Sequence, residues 1–257
     1  MSSVTNATFN PHNQTLTILM ADGITEVTIP LPDIDYANWY NNAGSLNYGA
    51  QLGACVVMFF CVFLLTKDRK RRSAIFVLNL LSLVLGALRA LLLALFFVSP
   101  WVNTYPYWTG DYSEITQSEY ATSVAAVVIP FLMTITVLLS LVLQAHTVSK
   151  NMDEIYRHAI TGVGFCFLLV AVGFRFAQMV TNSMAILKHE TYYSKKWITM
   201  GTLISQTASI WYFSLIFTGK LLFTLYTRRR NGWKQWSGVR ILAAMGGCTM
   251  VIPCQYC

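Results

Sequence analysis

Five runs of apolar residues, each longer than the roughly 18 that separate a membrane-spanning helix from a buried core helix, limit what this chain can fold into. They lie at 46–65, 74–98, 121–148, 160–180 and 197–225, and a sixth run, 239–257, reaches the last residue. In hydrocarbon every backbone N–H and C=O has to be satisfied within its own segment, so each run is expected to be a single α-helix. A soluble bundle would need a polar face on each helix, and these runs have none. The chain is 55% hydrophobic and 11% charged, too little polar surface to clothe a soluble domain. The expected fold class is therefore an all-α membrane protein, with a tail over 1–45 and a transmembrane bundle over 46–257.

The formal net charge of +7 could suggest nucleic-acid binding, but its placement is topological. Residues 1–45 hold no Lys or Arg and four acids, Asp22, Glu26, Asp33 and Asp35. The connection after the first run carries Lys67, Arg69, Lys70, Arg71 and Arg72, and the one after the fifth carries Arg228, Arg229, Arg230 and Lys234. Excess Lys and Arg marks the cytoplasmic side, which puts the N-terminus outside and these two loops inside; a multi-pass protein of the plasma membrane is expected. Membrane lipids are expected partners and nucleic acid is not. The segment with Lys188, Lys195 and Lys196 runs against this pattern and is outweighed by the two stronger loops. The N-terminus lacks the basic and apolar regions of a cleaved signal peptide, so the first span is expected to drive export of the tail.

Within the tail, alternating β-branched residues over 15–20 and 24–29 flank Asp22-Gly23, the dipeptide of a tight hairpin turn. A small extracellular β-hairpin is expected, packed on a neighbouring surface because two strands alone are marginal in water. Asn6 and Asn13 head N-glycosylation triplets, which count only because the tail is placed outside. The connection 99–108 is dense in Trp, Tyr and Pro, a composition that suits either a headgroup belt or a peptide-binding surface.

Polar residues inside apolar runs are the informative exceptions. Arg89 sits about 15 residues, hence roughly 22 Å, beyond the inner start of its span, and Arg175 is similarly placed, so both fall in the outer third. Snorkelling and a ligand pocket both account for such arginines. Lys220, near an inner end, is an ordinary snorkelling residue. Asn79 and Gln144 lie in the inner half, where interhelical hydrogen bonds satisfy them at least cost. Gly49 and Gly53 form a Gly-xxx-Gly pair that serves either internal packing or helix dimerisation. Pro130 and Pro253 lie inside runs and are candidate kinks. The six cysteines lie in spans or at the C-terminal end, and Cys254 with Cys257 has no second pair to make a metal site. With the acids in loops and no phosphate-binding glycine loop or paired carboxylates, neither an enzyme nor a cofactor is expected.

Taken in order, Gly49 and Gly53, then Phe76, Asn79 and Ser82, then Ser140 and Gln144, then Lys220, Arg229, Lys234 and Gln235, and finally Pro253 resemble the landmarks of the fungal alpha-factor mating-pheromone receptors, of filamentous-fungal type. These are class D G-protein-coupled receptors. The resemblance implies a seven-transmembrane-helix bundle, of which five complete helices and part of the sixth are present, so that a C-terminally truncated chain unable to signal alone is expected. It implies a secreted peptide pheromone as ligand, a heterotrimeric G protein inside, and a homodimer through Gly49 and Gly53. Arg89 and Phe96 are expected at the peptide site, with Arg175 and Gln51, the last standing where the best-known members carry a basic residue. Asn79, Gln144 and Pro253 are expected to act as interhelical polar or switch residues. Arg228, Arg229, Arg230, Lys234 and Gln235 would face the G protein. The alternative, a channel or transporter fragment, predicts internally repeated halves, and the sequence has no internal repeat.

Overall fold

Most of the long helices extend beyond the apolar runs that mark them in the sequence. The computed structural model of the chain describes residue 10 and residues 14–151, 153–188 and 196–230. Two strands, β1 (Thr15–Leu19) and β2 (Glu26–Pro30), precede seven helices: α1 (Leu31–Leu65), α2 (Asp68–Arg71), α3 (Ala74–Phe96), α4 (Thr104–Thr109), α5 (Gln117–Val148), α6 (Glu154–Lys188) and α7 (Lys196–Arg230). Among the described residues α1, α3, α5 and α6 are long and apolar enough to cross a membrane. The expected fifth span is helical and longer than its apolar run, but it is not one of those four. Thr202, Ser205, Gln206 and Ser209 make it more polar. Its hydroxyls turn inward on their own helix, Thr202 donating to the Ile198 carbonyl at 2.9 Å and Ser209 to that of Ser205 at 2.7 Å. The expected sixth span, 239–257, lies outside the described residues.

The first helix starts at Leu31, well ahead of the run at 46–65. Pro32 sets a helical φ at its start and Asp33 in the first turn complements the helix dipole. The described chain forms two compact units, Met1–Val57 with Gly86–Ala126, and Met58–Leu85 with Val127–Cys257.

In the first unit β1 and β2 pair antiparallel, from Thr15 opposite Pro30 to Leu19 opposite Glu26. Gly23 takes φ 67° at the turn, a conformation that L side chains resist. Asp22 organises that turn, accepting the Ile24 and Thr25 amides at 3.0 and 2.9 Å and the Thr25 hydroxyl. The Leu31 amide donates to the Gln14 carbonyl at 2.8 Å, tying the base of the hairpin to the start of α1, and Ile29 is fully buried.

The second unit has the larger core. Leu138, Val142 and Ala145 of α5 meet Leu168 and Ala171 of α6 and Phe213 of α7. Close approach is purchased with glycine: a Cβ on Gly164 would stand 3.1 Å from the Phe213 ring, and one on Gly201 2.5 Å from that of Phe174. The Tyr212 hydroxyl donates to the Ile160 carbonyl at 2.8 Å, a further bond between α6 and α7. Arg71 folds back to close α1, donating to the carbonyls of Thr66 at 3.0 Å and Phe63 at 2.9 Å, groups that a helix C-terminus leaves unpaired.

Candidate functional site

The segment between α3 and α5 is built rather than loose. Pro100 opens a 3-10 turn over Pro100–Val102, and the Asn103 amide closes it on the Pro100 carbonyl. After α4, Gly110 takes φ 71° as a left-handed helix cap, its amide reaching the Pro106 carbonyl at 2.9 Å. Asp111 then accepts the Ser113 amide at 3.0 Å, which holds its carboxyl below the usual carboxylate range. This path returns Tyr112 and Tyr120 to Trp101, with ring centroids 5.3 and 5.0 Å away. Between them the indole is fixed.

A cavity of about 300 Å³ opens beside it. Leu92, Leu95 and Phe96 at the end of α3 form one wall, Pro100 and Trp101 a second, and Glu119, Ser123 and Ala126 at the start of α5 a third. Of the side chains that line it, Trp101 Nε1 and Glu119 Oε2 are shut off from solvent and have no hydrogen-bond partner among the described residues.

Phe96 thus lines the cavity, while its neighbour Phe97 faces α1. Tyr48 stacks on Phe97 at 5.9 Å, Tyr40 meets it edge-on at 6.4 Å, and Gly44 lies between them. A Cβ on Gly44 would come within 2.7 Å of the Phe97 ring. Arg89 is half-buried and shares the α3 face of Leu92 and Phe96, three and seven residues on. Gln51 hydrogen-bonds Asn47 one turn back, at 3.4 Å. Around Gly49 and Gly53 the space is open among the described residues: an added Cβ at either meets nothing within 4 Å.

In the second unit Asn79 Oδ1 accepts the Ser140 hydroxyl at 2.5 Å and the Gln144 amide at 3.4 Å, and Gln144 donates to Ser140 Oγ at 2.9 Å. Ser140, buried between them, makes the link tight and had not been singled out for a role. Arg175 donates to Gln178 at 2.6 Å, one turn along α6. Arg228, Arg229 and Arg230 lie in the last turn of α7. Asn6, Asn13, Lys234, Gln235 and Pro253 lie outside the described residues. Among the described residues no group of His, Cys, Asp and Glu is arranged to hold a metal ion.

Trp101 and Glu119 are absent from the residues the sequence singled out as sites. The aromatic density of 99–108 was the available signal for Trp101, and Glu119 carried none.

The model of the fungal pheromone mating factor STE2 GPCR family matches residues 9–255. The chain is similar to the pheromone alpha factor receptor of Lachancea kluyveri, 22% identical over 209 residues covering 80% of this chain and 48% of the relative. It is also similar to the pheromone alpha factor receptor of Saccharomyces cerevisiae, 22% identical over 211 residues, 81% of this chain and 48% of the relative. It spans about half the length of the curated relatives it matches.

Proposed function

The chain belongs to the family of fungal pheromone mating factor receptors, G-protein-coupled receptors of the STE2 type, and on that premise we propose that it receives a secreted peptide pheromone of alpha-factor type and signals to a heterotrimeric G protein. The observation that carries this reading is the extent of the family match, which takes in almost every residue. A family of receptors supports neither an enzyme nor a channel.

In this reading the whole protein is a seven-helix bundle of the plasma membrane with its N-terminus outside. The peptide binds at the end where α3 meets the 3-10 turn and α5 begins. Phe96 in the cavity wall and Arg89 deeper on the same helix face support that placement, and Gln51 and Arg175 are assigned to the site by the family resemblance alone. Asn79, Ser140 and Gln144 join α3 to α5 through bonds that a helix movement would break, which suits a switch, with Pro253 as its partner in the sixth span. Arg228, Arg229, Arg230, Lys234 and Gln235 form the inner basic segment, facing the G protein and anionic lipid. The open face around Gly49 and Gly53 supports a homodimer through α1, since small residues left uncovered among the described residues admit a second helix closely.

The test is binding of a fluorescent synthetic alpha-factor-type peptide, encoded by the same genome, to membranes of receptor-deleted fungal cells that express the full-length gene product. Saturable, competable binding is expected. Its absence at normal surface expression would overturn the reading.

A further inference from the structure

The cavity between the end of α3 and the start of α5 has a polar composition that the receptor reading leaves unused. Its walls are apolar at Leu92, Leu95, Val98 and Ala126, and no basic side chain lines it. Two of its lining residues, Glu119 and Trp101, each keep one polar atom, a carboxyl oxygen and the indole N–H, buried in the wall and without a hydrogen-bond partner among the described residues. Each costs free energy while unpaired, the carboxyl most of all. Rotation of the indole would not relieve it, because Tyr112 and Tyr120 hold the ring. Two of the nearby hydroxyls are committed elsewhere, Ser99 to the Phe96 carbonyl at 2.7 Å and Thr122 to that of Ser118 at 2.9 Å.

We infer that this cavity binds a cationic group of the peptide ligand, an ammonium or a guanidinium, with Glu119 accepting its hydrogen bond and Trp101 donating to an adjacent carbonyl of the peptide backbone. The group supplies what both orphan atoms lack: donors with positive charge for the carboxyl and an acceptor for the indole. The aromatic faces of Trp101 and Phe96 favour a cation further. A volume of about 300 Å³ matches one side chain or one chain terminus rather than a whole peptide. This inference rests on the receptor reading and deepens it, naming a carboxyl and an indole that the resemblance did not assign.

The experiment is a double-mutant cycle on the full-length receptor in membranes. The probe is the synthetic mating peptide encoded by the same genome, in three forms: unmodified, N-acetylated, and with each Lys replaced by norleucine and each Arg by citrulline. Glu119→Gln should weaken the unmodified peptide by about tenfold or more, and Glu119→Asp by less. Whichever neutralised form removes the captured cation should bind wild type as weakly as the unmodified peptide binds Glu119→Gln, with no further loss on the variant. That form also tells a terminal ammonium from a side chain. Trp101→Phe, which keeps an aromatic ring between the tyrosines but loses the N–H together with part of the indole's volume, should weaken all three forms. Equal losses for charged and neutral peptides on Glu119→Gln, or no loss at all, would overturn this inference and leave the receptor reading standing; such a cavity holds water or a lipid headgroup instead. Failure of the unmodified peptide to bind wild type would overturn both.

Discussion

Gly44 has no room for a side chain, and the reason is the ring it faces. Phe97 is pinned by Tyr40 and Tyr48, so it cannot swing aside for a side chain that would start 2.7 Å away. Gly44→Leu should therefore cost about 1–3 kcal/mol of stability, read as a lower thermal midpoint in detergent, whereas Gly49→Leu, with nothing within 4 Å, should leave the monomer unchanged. Arg89 belongs to the same scale. Arg89→Ala should lower peptide affinity by more than about 1.5 kcal/mol if its guanidinium makes a charge-assisted contact, and an unchanged affinity would reassign it to snorkelling. Asp22 makes a prediction in pH. Its bonds from the Thr25 hydroxyl, the Thr25 amide and the Ile24 amide hold its carboxyl below the usual range, so the turn keeps their support above about pH 4 and loses it as the pH falls through the lowered value. Hydrogen exchange at Ile24 and Thr25, corrected for intrinsic rates, should lose protection on that acid limb in wild type and show no such step in Asp22→Ala.

At the scale of elements, α3 and α5 are coupled by the Asn79, Ser140 and Gln144 cluster. Ser140→Ala would leave Asn79 Oδ1 only the long 3.4 Å bond from Gln144. A loss of about 1 kcal/mol is expected, in line with interhelical hydrogen bonds in membranes. An unchanged thermal midpoint for Ser140→Ala would show that water or an alternative rotamer replaces the bond. Asn79 and Gln144 were legible as polar exceptions in apolar runs. Ser140 was not, because a small hydroxyl inside a span satisfies itself on its own helix as often as it reaches a neighbour, and α7 does the former repeatedly.

For the whole molecule, the proposed homodimer would use the glycines of α1 that the described residues leave uncovered. Exposed Val56, Val57 and Phe60 continue the α1 surface beyond Gly49 and Gly53. Replacing both glycines by Leu should lower the dimer signal in a proximity assay while peptide binding to the monomer persists; an unchanged signal would place the dimer contact elsewhere.

Apolar run length and the Asp22-Gly23 turn needed no tertiary structure to read, because each reports a local cost: unsatisfied backbone in lipid and positive φ. Helix extent was less legible. Leu31 starts α1 well before the apolar run, since polar residues continue a helix as readily as apolar ones once it is nucleated. What only the fold decided are the meetings between distant residues. Phe96 turns to the cavity while Phe97 turns to α1, Gly44 rather than Gly49 takes the close contact, and Trp101 and Glu119 come to line one cavity through the return of the 99–116 segment. Such pairings depend on how α4 and its left-handed Gly110 cap redirect the chain, and periodicity carries no record of which side chains a redirected chain will bring together.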